Sequence, residues 1–226
     1  MSLLAELSPD DSIVIKALKA RAQERVKVDY TRQSTHSELH NDIFPLDTII
    51  KYALFKGSRH TATAWNEAVI SALYQESANR AFRLIAQKQR TEQELRFSIK
   101  NTKRYNFTED MINTAVKRVD TLGYLNESST AKAHVTRTSA RLKSSRKLKQ
   151  ELHARGVSNT AANEVLESHS DLTAAQEVAQ KKAARLIKHD QPTAKIRLYR
   201  YLVQQGFPYD LSRQLADQHF STSLSS

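Results

Sequence analysis

Apolar positions recur along this chain in a pattern that repeats every fifty residues. Phe107, Val157 and Phe207 are separated by that interval, and each opens the same downstream series. Four residues on stand Met111, Ala161 and Leu211; eight on, Ala115, Val165 and Leu215; nine on, Val116, Leu166 and Ala216. Those offsets trace one face of a helix with about 3.6 residues per turn. Upstream, Leu148 and Leu152 match Leu198 and Leu202. Leu95 and Ile99 match both pairs once three residues are inserted around Asn101–Arg104. A period of this size marks a repeat built from one supersecondary unit, too small to bury its apolar face alone, so neighbours must stack. The predicted fold is mainly α, an elongated tandem array of three three-helix repeats.

Ahead of the repeats the periodicity changes. Ser12–Leu18 and Glu24–Tyr30 alternate in part, with Val26, Val28 and Tyr30 on one side, which predicts strands with a buried face. Lys19–Gln23 fits a hairpin loop, and Ser37–Ile43 offers a third strand. The stretch IVIKALKARAQERVKV also admits a helical reading, and that alternative stays open. An isolated β-ribbon is marginal in water and needs something to pack on. Asp47 and Thr48 cap a predicted short helix over Ile49–Phe55, stopped by Gly57. From Ala62 to about Gln89 a long helix is predicted, with Trp65, Val69, Leu73 and Tyr74 on one face and Ala81, Leu84 and Ile85 extending it.

Thr91-Glu92-Gln93-Glu94 reads as a capping box, opening a helix that runs to about Lys103. Thr108-Glu109-Asp110 starts the next helix, with acids where the dipole favours them, and Gly123 ends it. Breaks near Lys143-Ser144-Ser145 and at Gly156 divide the second repeat; Asp190-Gln191-Pro192 and Gly206 divide the third. The expected organisation is a β-ribbon and short helix over 1–60, a linking helix and first repeat over 61–127, a second repeat over 128–171, a third over 172–220, and a frayed tail over 221–226.

Composition supports helix, since four Gly and four Pro leave long stretches without breakers. The absence of Cys removes disulfides, thiolate metal sites and cysteine nucleophiles together. The opening Met1–Glu6 is too short and acidic for a secretory signal, and no apolar run approaches the roughly 18 residues of a membrane span. A soluble cytoplasmic protein is expected. Its net charge is +11, and the distribution is uneven. Residues 129–156 carry 8 Lys/Arg against 1 Asp/Glu, whereas residues 157–171 carry 0 against 3. A local surplus of that size points to an acidic partner such as nucleic acid or a nucleoprotein; a merely solvated face is the competing explanation.

Catalytic patterns are missing. His36-Ser37-Glu38-Leu39-His40 places two His four apart, but its Glu is not in the zinc-protease position and no third ligand is evident. Glycines at 57, 123, 156 and 206 cannot build a phosphate-cradling loop. The acids are scattered rather than clustered for metal-assisted hydrolysis. Neither an enzyme nor a bound cofactor or metal is expected.

Three segments in order carry a family resemblance. Gly123-Tyr124-Leu125-Asn126-Glu127, followed by Lys147-Leu148-Lys149-Gln150-Glu151-Leu152-His153-Ala154-Arg155-Gly156-Val157, resembles the central signature of the RecX family. Tyr199-Arg200-Tyr201-Leu202-Val203-Gln204-Gln205-Gly206-Phe207-Pro208-Tyr209-Asp210 is similar to its C-terminal signature, and Lys88-Gln89-Arg90-Thr91-Glu92-Gln93-Glu94-Leu95 to its first-repeat opening. Ser144 departs from the pattern, standing where the family usually has Gly. The resemblance implies a regulator that lies in the groove of the RecA filament on DNA and inhibits filament growth, strand exchange, ATP turnover and coprotease activity. It implies a RecA filament as partner, weak contact with single- or double-stranded DNA without sequence preference, and no membrane. A monomer is expected.

The basic cluster Arg137, Arg141, Lys143, Arg146, Lys147, Lys149 and Arg155 is the candidate contact surface. Several of these flank a helix break, where backbone amides at the next helix N-terminus would add phosphate-binding capacity. Lys195, Arg197 and Arg200, beside Tyr199 and Tyr201, form a second cluster. The Tyr residues, with Phe207 and Tyr209, fit packing roles better than base stacking. Arg96, Lys100, Lys103 and Arg104 form a third basic stretch, better explained as a solvated helix end. A helix-turn-helix DNA-binding module is the competing class, with each repeat's third helix as reader. Asn159–Glu167 contains no Lys or Arg and Leu211–Gln218 contains one Arg, which disfavours base readout.

Overall fold

Strands form where β-branched residues alternate. The computed structural model describes Leu7 and residues 11–34, 38–137 and 140–220. His36, Ser37, the opening Met1–Glu6 and the tail 221–226, which figure in the expectations above, lie outside the described residues. The chain forms two compact units, Met1–Lys88 with Leu95–Tyr124, and Gln89–Glu94 with Leu125–Ser226.

In the first unit, β1 (Ser12–Arg21), β2 (Arg25–Arg32), β3 (His40–Pro45) and β4 (Arg59–Thr61) make an antiparallel sheet in the order β3-β2-β1-β4. Ile13 and Ile15 of β1 are buried with Val26, Val28 and Tyr30 of β2, so the strand reading holds over the helical one. The hairpin turn falls later than expected. Arg21 pairs with Arg25, and the chain reverses through positive φ at Gln23 (62°) and Glu24 (53°), a conformation that no glycine flags in the sequence. Strand β4 was not predicted. It pairs with Ser12–Val14 as a polar edge and carries no alternation to reveal it.

Helix α1 spans Leu46–Lys51, earlier and shorter than Ile49–Phe55. Asp47 does not cap it; its carboxylate instead accepts a 2.6 Å hydrogen bond from Gln75 Nε2, and Pro45 occupies the cap position. Ala53, at φ 49°, turns the chain before Gly57 is reached. Helix α2 (Ala62–Gln87) covers the sheet with Trp65, whose ring centroid lies 4.5 Å from that of Tyr30 and 5.3 Å from that of Phe44. Arg25 reaches buried Glu76 of α2 through two hydrogen bonds, of 2.7 and 2.5 Å, which fix the start of β2 to the helix.

Helices α3 (Glu92–Lys100) and α4 (Glu109–Thr121) follow, then α5 (Glu127–Val135), α6 (Ser145–Ala154) and α7 (Asn159–Leu166), then α8 (Asp171–Leu186), α9 (Gln191–Gln204) and α10 (Tyr209–Phe220). The protein is thus mainly α, with three successive three-helix repeats, the long α2 supplying the first helix of the first. Side-chain caps set the helix starts: Thr108, Asn126, Ser144, Ser158, Ser170 and Asp190 each accept the N–H three residues on.

Most equivalent positions in the repeats are buried alike, with Val165 and Leu211 only half-buried where their counterparts are buried. Leu95, Ile99, Leu148, Leu152, Leu198 and Leu202 are all 0% exposed, and Phe107, Val157 and Phe207 are buried in turn. Leu148, Leu152, Val157, Ala162 and Leu166 fill the core of α5–α7, while Val178, Leu198, Leu202, Phe207 and Leu215 fill that of α8–α10. Burying such a side chain contributes roughly 1.5–3 kcal/mol, so each stripe carries most of its repeat's stability.

Candidate nucleoprotein interface

Successive repeats meet through one recurring joint, which occupies two of the predicted contact cations, Lys147 and Arg155. At the N-terminus of α6, the Ser144 amide donates to the Gln205 carbonyl at 3.1 Å, and Lys147 Nζ donates to the Gln204 carbonyl. Gly206, at φ 91°, makes room: a Cβ there would sit 2.8 Å from Lys147 Cβ. The first turn of α3 repeats the arrangement against the C-terminus of α6. The Thr91 hydroxyl donates to the Arg155 carbonyl, and Gly156, at φ 84°, makes room for Gln93. Thr91 and Ser144 are fifty-three residues apart, the period plus the three-residue insertion.

Five of the ten predicted contact cations have partners within the chain, Lys195 and Arg197 at exposed positions. Arg155 hydrogen-bonds Glu94 at 2.7 and 3.2 Å, and Lys147 holds the joint. Lys143 Nζ reaches both oxygens of Glu151, at 2.7 and 2.9 Å, beside His134 at 3.2 Å. Burial acts to raise the Glu151 pKa, but the hydrogen bonds from Lys143 and His134 hold it below the ordinary carboxylate value. Lys195 pairs with Asp217 at 2.6 Å, and Arg197 contacts His189 at 2.8 Å. The other five are placed differently. The side chains of Arg137, Arg141, Arg146 and Arg200 are exposed and that of Lys149 half-buried, and none makes a hydrogen bond or ion pair with a described residue.

The amides at the α6 N-terminus are not open to phosphate as the sequence led us to expect. Ser145 N and Oγ both donate to Asp171 Oδ1, at 2.7 and 2.8 Å, and Lys147 N donates to Ser144 Oγ at 3.2 Å. A carboxylate therefore occupies the helix end that an anion would seek.

Aromatic placements are mixed. Phe207 is a core anchor and Tyr199 packs partly against the same core, as their spacing predicts. Tyr201 lies under Lys182, 4.6 Å from its ring centroid. Tyr209 departs from the packing role: it is 67% exposed and lines, with Ile196 and Tyr199, a groove of about 410 Å³ between α9 and α10. No sequence signal announced that groove, because Ile196, Tyr199 and Tyr209 fall outside the repeated stripe, and of its lining only Ala216 belongs to it. Helix α7 carries no Lys or Arg, and α10 carries only Arg213. Among the described residues, no three His, Asp or Glu gather to hold a metal, and no helix is long and apolar enough to cross a membrane.

Three-helix repeats that follow a small antiparallel sheet along the chain define a class of tandem helical-repeat protein. Comparison with known proteins gives the family. The family model described as RecX, third three-helix domain, matches residues 170–215. Regulatory protein RecX of Chromobacterium violaceum is 31% identical over 136 residues, covering 60% of this chain and 86% of that protein. Its counterpart in Listeria monocytogenes serotype 4a is 25% identical over 186 residues, covering 80% and 68%. A crystal structure of regulatory protein RecX shares the fold, with a TM-score of 0.59 at 14% identity over 91% of this chain and 99% of that one. The chain belongs to the RecX family of regulatory proteins.

Proposed function

We propose that this protein binds the RecA filament on DNA and inhibits its recombinase, ATPase and coprotease activities, thereby moderating recombinational repair and the SOS response. The observation that carries this reading is the division of labour among the cations of the second unit. Those at the joints are spent on the fold, while Arg137, Arg141, Arg146 and Arg200 stand exposed on segments other than the third helices. Exposed cations of this kind meet phosphates or acidic protein without reading bases. Repeated weak contacts along successive units would add through avidity. Family membership supports a regulatory rather than catalytic role.

The second reading is a sequence-independent DNA-binding protein, favoured by the same exposed arginines. It is separated from the first by measuring RecA ATPase on single-stranded DNA with and without this protein, alongside a salt titration of binding to naked DNA. Inhibition at salt concentrations that abolish naked-DNA binding supports the filament reading. Inhibition that disappears together with naked-DNA binding supports the second.

A further inference from the structure

The first unit holds a basic centre whose members are scattered along the sequence. Arg25 at the start of β2, Arg80 and Arg83 on α2, and Lys103, Arg104 and Tyr105 in the α3–α4 connection line a pocket of about 470 Å³. That connection contains the three residues by which this repeat exceeds the other two. The nearby carboxylate, Glu76, is already engaged by Arg25 and lies 3.5 Å from Arg83.

We propose that this pocket is a phosphate-binding site that takes the backbone of a nucleic-acid strand. Three of its donors lack an acceptor, although Arg25 is held by Glu76 and another nitrogen of Arg83 by Gln23. Arg80 is half-buried and makes no hydrogen bond or ion pair with a described residue, and its Nε is buried without a partner. The Nε of Arg83 and the hydroxyl of Tyr105 are buried without partners too. Native folds rarely leave buried donors unsatisfied, and five cations lining one pocket outnumber the single carboxylate, Glu76, that engages two of them. An acceptor-rich anion relieves both conditions. Guanidinium groups, an ammonium and a phenol, which burial keeps protonated, suit the oxygens of phosphate.

The cations run from half-buried Arg25 and Arg80 out to exposed Lys103 and Arg104, so the site opens to the surface, where a strand can continue past it. Base stacking is not the mode of contact. The Tyr105 ring is flanked by Arg104, 5.5 Å from its centroid, and by Phe107 at 5.4 Å. Choosing a strand over a free phosphate rests on the filament reading above; the pocket's preference for phosphate does not.

The test uses the full chain and fluorescence anisotropy with a labelled oligothymidylate, without RecA, so that it succeeds or fails independently of RecA inhibition. Lys103→Glu with Arg104→Glu should weaken binding about tenfold and reduce the salt slope by about two. Arg80→Gln should weaken it about threefold with unchanged helical content. Lys56→Glu with Lys117→Glu, an equal charge change at exposed positions outside the pocket, should stay within about twofold. Equal losses in the pocket and control variants would overturn the proposal, as would undiminished binding by the Lys103/Arg104 variant. Calorimetry with inorganic pyrophosphate supplies the other arm. If the Lys103/Arg104 variant loses pyrophosphate binding but keeps the oligonucleotide, the pocket serves a free phosphate and the strand assignment is overturned.

Discussion

Arg155 grips Glu94 through two hydrogen bonds, Nε to Oε1 at 2.7 Å and Nη2 to Oε2 at 3.2 Å, across sixty-one residues of sequence. The pair ties the first turn of α3 to the C-terminus of α6, at the point where Thr91 donates to the Arg155 carbonyl. Arg155 therefore works as a joint residue, and its substitution is read first as a loss of stability.

Replacing Arg155 with Ala should destabilise the second unit by about 1–2 kcal/mol. That is less than a fully buried pair would lose, because the two side chains are 19% and 24% exposed. Urea denaturation of Arg155→Ala, Glu94→Ala and the double variant measures the coupling; strictly additive losses would show that the pair contributes nothing.

The glycines separate close packing from backbone strain. Gly206→Ala should cost about 3 kcal/mol, from positive φ and from overlap with Lys147. Gly123 has the same sign of φ but open space around it, so Gly123→Ala should cost only about 1 kcal/mol. Thermal unfolding of both variants checks the difference, and equal losses would remove the packing contribution at the joint.

Glu151 gives the second unit an acid-sensitive contact. Its pKa is lower folded than unfolded, so the folded state holds the ionised form more tightly. The resulting stabilisation is complete above the unfolded carboxylate value and is lost as pH falls through the folded one. Glu151→Gln should lower the melting temperature at neutral pH and flatten its decline between about pH 6 and about pH 3. A decline as steep as that of the unsubstituted protein would assign the acid sensitivity to other groups.

The helical repeats were legible because each buries a continuous stripe, which leaves a 3.6-residue period at Leu148, Leu152 and Val157 and again fifty residues on. Features held by polar contacts left no such trace. Strand β4 is a short polar edge, the Gln23–Glu24 turn uses positive φ without glycine, and Asp47, expected at the cap of α1, instead accepts from Gln75. The basic surplus over residues 129–156 was equally plain, but not which charges were occupied. Glu94 and Arg155 meet only through the joint, and Asp171 reaches the α6 amides from the next repeat. That Arg104 lines one pocket with Arg25 and Arg80 was not legible either, because those residues come from a strand and a different helix.

The cations without a hydrogen-bond or ion-pair partner among the described residues, four of them exposed and Lys149 half-buried, carry the functional proposal. The most direct measurement is RecA ATPase on single-stranded DNA, titrated with this protein and with a variant carrying Arg146→Glu, Lys149→Glu and Arg200→Glu. None of these side chains has an ion-pair partner among the described residues, so helical content should not change. Inhibition by the unsubstituted protein and a loss of about tenfold or more in potency for the variant is the predicted result. Equal potency of the two proteins, or no inhibition by either, would contradict it.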